Sequence, residues 1–386
     1  MSIRNLYEEG SRLLASSNSE MFFTHQQQGL QRYDCGGDIN LYSLVFDRLV
    51  FEYSKQSNKD NIYENIMSLA YSDLKRYGET PWGLLARGVA EFSIGHIGNA
   101  DVYFMLSAAK DIGERFHIAM GVYSRRPRSF PLDEYGDVSA RTDFNPTYKF
   151  LIRHKQCDDD IVHVLSCDSG YLHKYANAAI ESSRKAGVKL IHLHIVNPTS
   201  EDLVYAKSFV SKSAVNISYE ENPLANVLSP GRERKAYFIC PRFIIAPMLL
   251  DMYKGPLFIT DIDMAITKEW GSIKESLNGV DLGLRRVNGN YPWRRVAAGT
   301  VYYSQSRVAR TYAEVVARYI KTVFDVTFHK RNWLIDQNAL YWAICKLQEE
   351  RSEVVVANLL DKKFHCVQAA QYFSGGKKGF IDAYDA

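Results

Sequence analysis

Pro256-Leu257-Phe258-Ile259-Thr260-Asp261-Ile262-Asp263-Met264-Ala265 carries an unbroken apolar run straight into two carboxylates two positions apart. A short apolar run without polar alternation is the pattern of a strand buried on both faces, as in a parallel sheet covered by helices. In extended backbone, positions i and i+2 share a side, so the oxygens of Asp261 and Asp263 can converge on one hard cation. A divalent ion there would neutralise diphosphate charge and act as a Lewis acid on a departing nucleoside diphosphate. D-x-D arises often by chance in loops; the buried strand before it is what points to a metal.

Working outward, the segment from Asp158 alternates strand and helix. Ile161 to Cys167 is an apolar run ending at Asp168-Ser169-Gly170, and Tyr175 to Ala186 has helical spacing with small residues on one face. Val188 to Val196 reads as a second strand, Val204 to Ser211 as a helix, Asn216 to Tyr219 as a third strand and Leu257 to Thr260 as a fourth. This order predicts an α/β fold, a mainly parallel sheet with helices on both faces and ligand loops at the strand C-terminal ends. Upstream, Tyr63 to Tyr77 and Trp82 to Ile97 have helical periodicity around Gly78-Glu79-Thr80-Pro81, which predicts a helical hairpin. The organisation expected is an all-α domain over 1–123, a linker over 124–150 rich in Arg, Pro and Gly, and the sheet domain over 151–386.

Four further blocks, with the D-x-D, resemble glycosyltransferases of the GT-A fold, most closely family 8, the retaining galactosyl- and glucosyltransferases and glycogenins. Val164 to Tyr171 is similar to the family's opening strand and loop, which implies that Asp168 and Tyr171 cradle a uracil. Cys240-Pro241-Arg242 is similar to its Y-x-R helix, with Cys in place of Tyr, and implies Arg242 at the donor phosphates or sugar. Ala297-Ala298-Gly299-Thr300-Val301 resembles the N-A-G-V strand of the donor-sugar pocket, with Ala297 in place of Asn and Gly299 retained. Trp333 to Leu340 resembles D-Q-x-x-L, which implies Asp336 and Gln337 at the transferred sugar and its reactive face.

The last block departs from the family. Its H-x-x-G-x-x-K is matched best by Tyr372 to Lys378, with Tyr372 where the metal-binding His belongs and Lys378 at the diphosphate position. His365 is then the candidate third ligand beside Asp261 and Asp263. Each site residue also has a bland alternative: Asp168 and Asp336 suit helix caps, Tyr171 a core aromatic, Gly299 a strand bulge and Arg242 an ion pair. In the N-terminal part, Trp82 to Ala109 resembles a single tetratricopeptide unit, which implies a surface for a protein partner or self-association.

The resemblance implies a metal-dependent hexosyltransferase moving a sugar from a nucleotide-sugar, a UDP-sugar by analogy, to a hydroxyl of a glycan or other acceptor, with retention, using Mn²⁺ or Mg²⁺. A sugar-1-phosphate nucleotidyltransferase shares the topology, but needs a glycine-rich basic loop after its first strand, which Cys167 to Tyr171 is not. The remaining alternative is a non-catalytic nucleotide-sugar-binding scaffold, favoured by Tyr372 and Ala297. A formal net charge of +3 on 386 residues argues against nucleic acid as the main partner. Scattered cysteines, no apolar leader and no apolar run of about 18 residues predict a soluble cytoplasmic protein without a transmembrane segment. The basic pairs Arg285-Arg286 and Arg294-Arg295 suit either an anionic substrate or water.

Overall fold

The structure, a computed structural model, describes residues 3–16, 19–32, 39–56, 58–110, 123, 146–153, 161–211, 214–222, 232–287, 291–324, 332–350 and 353–384. The chain forms two compact units, one of Met1–Arg125 with Asn288–Arg295, the other of Arg126–Val287 with Val296–Ala386. Most of the expected linker, 124–145, lies outside the described residues, and its last residues are already strand.

The first unit contains helices α1 (Ile3–Ala15), α2 (Ser19–Arg32), α3 (Ile39–Tyr53), α4 (Lys59–Tyr77), α5 (Pro81–Ser93) and α6 (Ile97–Lys110). The predicted hairpin is α4 and α5. Thr80 caps α5 by accepting from the Gly83 amide at 3.0 Å, and Pro81 fills the first helical position, where no amide is needed. Buried Asp73 of α4 accepts from Thr80 Oγ1 at 2.6 Å and Trp82 Nε1 at 2.9 Å, which ties the two helices together. The second helix stops at Ser93 rather than Ile97, because Gly95 turns the chain at φ 87°. Gly88 lets α6 approach: a Cβ there would stand 2.5 Å from a Phe104 ring carbon. Residues 291–295, inside the expected second domain, belong to this unit. Trp293 is wholly buried with its ring 5.3 Å from Phe104, and Tyr291 donates to Asp47 at 3.2 Å.

The second unit is a mixed sheet with helices packed on it. Its strands are β1 (Thr147–Ile152), β2 (Val162–Asp168), β3 (Ile191–Val196), β4 (Val215–Glu221), β5 (Leu257–Asp261), β6 (Met264–Ile266), β7 (Leu282–Arg286), β8 (Val296–Tyr303), β9 (Val356–Asn358) and β10 (Val367–Ala369). Eight of them order as β1-β4-β3-β2-β5-β8-β7-β9. β4, β3, β2 and β5 run parallel, β1 and β8 run against their neighbours, and β9 is parallel to β7. The mainly parallel sheet, with helices preceding it in the chain, is the α/β architecture expected. The four anticipated strands are β2 to β5. β7, β9 and the ribbon β6–β10 have too few residues for a period to show.

The helices of this unit are α7 (Ser169–Lys185), α8 (Ser200–Lys207), α9 (Arg232–Phe238), α10 (Pro241–Ile244), α11 (Ala246–Tyr253), α12 (Trp270–Ser276), α13 (Arg307–Val323), α14 (Ile335–Glu350) and α15 (Gly376–Tyr384). Leu165, Cys167, Leu193 and Phe258 on one sheet face join a buried cluster with Leu172, Ala176, Ile180, Trp270 and Phe380 of α7, α12 and α15. The intervening residues Val164 and Ile259 are also fully buried, as alternation requires of a sheet covered twice. One stretch, Lys235–Tyr253, has the length and mean hydropathy, 1.3, of a membrane span. No such window was expected from the sequence. It is broken into α9, α10 and α11, with Pro241 and Pro247 opening the last two, and Cys240, Phe243 and Leu249 are buried in the unit.

Among the described residues three histidines, His163, His192 and His194, are wholly buried in this unit, and two of them bridge pairs of hydroxyls. His163 bridges Ser183 Oγ and Thr260 Oγ1, both at 2.9 Å, and His192 bridges Tyr253 Oη at 2.7 Å and Ser218 Oγ at 2.8 Å. Burial lowers each of these two imidazoles to about 3, so both are neutral in the fold at neutral pH.

Candidate active site

In an open parallel sheet, ligands bind at the strand C-terminal ends where the strand order reverses. Here the chain runs from β2 outward to β3 and β4, then returns to place β5 on the other side of β2. Ser166 lies in register with Asp261, so Asp168 and the D-x-D emerge side by side at that switch point. Asp261 ends β5, Ile262 is buried, and Asp263 sits in the turn into β6. The turn is clamped from behind: β10 pairs antiparallel with β6, and the Ala370 amide donates to the Asp263 carbonyl at 2.8 Å.

Each aspartate already holds a cation. Arg242, on the single-turn helix α10, is only 5% exposed and donates through Nη1 to Asp261 Oδ1. Its Nη2 reaches the Ala298 carbonyl at 3.3 Å and lies 3.6 Å from Asp336 Oδ2. Burial works against the charge of this guanidinium, but Asp261 and Asp336 outweigh it and raise its pKa. Asp263 Oδ2 accepts from Lys377 Nζ at 2.7 Å, and the same ammonium lies 5.7 Å from the centre of the Tyr171 ring.

The residues anticipated from the sequence therefore divide. Asp261, Arg242, Asp336 and Gly299 form one cluster, because a Cβ at Gly299 would stand 2.9 Å from Asp261 Oδ2. Asp263 and Tyr171 meet through Lys377. Gln337 stands half-buried beside Asp336, its backbone N–H donating to Asp336 Oδ1 at 2.8 Å. Asp168 caps α7, accepting from the Tyr171 amide at 2.8 Å. Lys378 is not at the acids: its side chain is 83% exposed and pairs with Asp382 one turn on. Lys377 holds the place anticipated for Lys378. The two are about 100° apart around a helix that starts at Gly376, and Gly375 and Gly376, both at positive φ, set its entry. A motif spacing alone does not separate neighbours on a helix whose first residue is unknown.

Tyr372 is exposed, as is His365. Ala369 pairs with Met264, next to Asp263, and His365 precedes it by four residues on the far side of Val367. At about 3.3 Å per residue that is roughly 13 Å along the ribbon, so His365 does not join the D-x-D. Among the described residues no group of three or more His, Cys, Asp or Glu side chains could enclose a metal. Asp261 and Asp263 are hard oxygen ligands and partly exposed, 33% and 23%. They fit an ion such as Mg²⁺ that takes one or two carboxylates and completes its shell with phosphate and water, and they do not form a cage.

Asp336 is the perturbed acid of the site. Burial pushes it up to about 6, against the pull of Arg242 and the Gln337 amide. It opens α14 just after Leu334, a bulky residue at φ 63°. Such backbone costs about 1–3 kcal/mol and tends to occur at functional sites.

Asp336 and the buried histidines have opposite effects on stability in acid. Between pH 6.5 and about 3, unfolded His163 and His192 bind protons that the folded protein refuses, so stability falls with pH. Between about 6 and 4 the folded Asp336 binds a proton the unfolded chain does not, so stability rises. Two protons against one leave a net loss of about 1.4 kcal/mol per pH unit near pH 5. Unfolding free energies from urea titrations at pH 6.5 to 4 are expected to fall toward acid, less steeply than these three groups alone would give because burial also raises Asp73. A series that rises toward acid would contradict the assignment of both histidines as neutral.

No family model matches the chain, and no curated protein matches it. Among solved structures it is similar to mouse xyloside xylosyltransferase 1 in its apo form, with a TM-score of 0.31 and 12% identity over 52% of this chain and 84% of that one. At that TM-score the likeness adds nothing to what the residues themselves say.

Proposed function

We propose that the protein is a metal-dependent glycosyltransferase that transfers a sugar from a nucleoside-diphosphate sugar, a UDP-sugar by resemblance, to an acceptor hydroxyl. The observation that carries this is the meeting of Asp261, Arg242, Asp336 and Gly299, with Asp263 and Lys377 beside them, at the switch point of the sheet. Mn²⁺ or Mg²⁺ held by Asp261 and Asp263 supplies Lewis-acid stabilisation of the departing diphosphate. Arg242 and Lys377, which pair with those aspartates in the structure, are the cations that would bind phosphate oxygens of the donor. A planar guanidinium suits a bidentate contact of that kind. Asp336 and Gln337 orient the transferred sugar, and by resemblance the anomeric configuration is retained. Tyr171 offers a ring to the base. The helical unit, with its single tetratricopeptide-like stretch, is proposed as the part that meets a protein partner or a second copy.

The test is release of UDP from a panel of UDP-sugars with and without Mn²⁺. Metal-dependent release supports the proposal. Pyrophosphate release from UTP with a sugar 1-phosphate would favour the nucleotidyltransferase, and binding without turnover the scaffold. A second expected result separates the adjacent lysines. Lys377→Met should lower kcat/KM for the donor about tenfold or more, whereas Lys378→Met should change it less than about twofold, since an exposed i,i+4 pair is worth little. Equal losses would return Lys378 to the site.

A further inference from the structure

Besides Arg242 and Lys377 the site holds a third cation, Arg285, for which the described residues supply no partner. Arg285 pairs in register with Ala297 while Leu284 pairs with Val301, so one step along β7 spans Ala298, Gly299 and Thr300 of β8. Such a bulge interrupts the ladder and re-aims the side chains beside it. A Cβ at Gly299 would meet Asp261 Oδ2 at 2.9 Å and Arg285 Nη1 at 3.5 Å, so carboxylate and guanidinium border the same bare glycine. Yet Asp261 is taken by Arg242. Among the described residues Arg285 has no hydrogen-bond or ion-pair partner, and its Nε is buried without an acceptor. Its neighbour Arg286 is exposed. A half-buried guanidinium with nothing to bind costs stability unless a ligand supplies the missing charge.

We infer that Arg285 is an anion-binding residue of this site, and that it receives an anionic oxygen of the substrate. Resting on the nucleotide-sugar proposal above, two sources share that chemistry: a phosphate of the diphosphate, or the carboxylate of an acidic sugar.

The experiment is calorimetry on the full chain with Mn²⁺ and four probes: inorganic pyrophosphate, UDP, UDP-glucose and UDP-glucuronate. Wild type is compared with Arg285→Gln, Arg285→Lys and Arg286→Gln. Arg285→Gln should weaken binding about tenfold or more, the range of one charge-assisted hydrogen bond. Arg285→Lys should lose less and Arg286→Gln almost nothing. Loss with pyrophosphate and UDP assigns the phosphate; loss confined to UDP-glucuronate assigns the sugar carboxylate. The thermal midpoint of ligand-free Arg285→Gln should be unchanged or higher, because an unpaired cation has been removed.

Wild-type affinity of Arg285→Gln for all four probes would overturn the inference. An equal loss in Arg286→Gln, or a midpoint several degrees lower in ligand-free Arg285→Gln, would do the same. If wild type binds pyrophosphate but no nucleotide-sugar, the donor proposal fails and Arg285 is judged on pyrophosphate alone. If it binds none of the four, both fail.

Discussion

Asp263→Asn is expected to lower sugar transfer by about a hundredfold or more while hardly moving the melting temperature. Its carboxylate has one ion pair, to a Lys377 that is 40% exposed, and pairs of that kind contribute about 0–1 kcal/mol. The activity loss follows from the removal of a hard anionic ligand where charge must be neutralised in the transition state, an effect of order 10²–10³. Asp261→Asn should lose as much activity and also some stability, about 1–3 kcal/mol, because buried Arg242 is then left with a weakened acceptor. Donor turnover and thermal melting of the two variants check both halves. Full activity in Asp263→Asn would remove the metal from the account.

Arg242→Met should be the most damaging single change. It takes the shared cation from Asp261 and from Asp336, which is 3% exposed. Removing one member of a buried ion pair costs about 3–5 kcal/mol, since the partner's charge stays buried. That cost should depend on pH. Asp336 already lies near 6, above its unfolded value, so it favours the fold only when protonated, and without Arg242 it rises further. The stability gap between wild type and Arg242→Met should therefore widen from pH 5.5 to pH 8. Adding Asp336→Leu should recover part of the stability and none of the activity. A gap independent of pH would mean that Arg242 does not serve Asp336.

The central strands could be anticipated from the sequence because fully buried strands are written as continuous apolar runs, Leu257 to Thr260 and Val162 to Cys167 among them. The position of the D-x-D followed from the strand before it. What escaped was set by tertiary pairing. Trp293 and Tyr291 read as part of the sheet domain, but they bury their rings in the helical unit, and nothing local marks that. Lys377 rather than Lys378 meets Asp263 because α15 begins at Gly376, a boundary that periodicity does not resolve. Arg285 stood in a basic pair with no visible asymmetry; the bulge opposite Gly299 distinguishes it from Arg286. Arg242 and Asp336, 94 residues apart, meet only because α10 and α14 both reach the end of β5.

Asp261 and Asp263 are proposed to hold a divalent ion together with the donor's diphosphate, at a site whose aspartates otherwise hold Arg242 and Lys377. Mn²⁺ titrated into the full chain by calorimetry, with and without UDP, tests this claim most directly. Because the free ion must displace two cations and finds only two protein ligands, it should bind weakly alone and about tenfold or more tightly with UDP present, with UDP gaining by the same factor. That gain should vanish in Asp263→Asn. Tight Mn²⁺ binding without UDP that survives Asp263→Asn, or UDP binding indifferent to Mn²⁺, would contradict the claim.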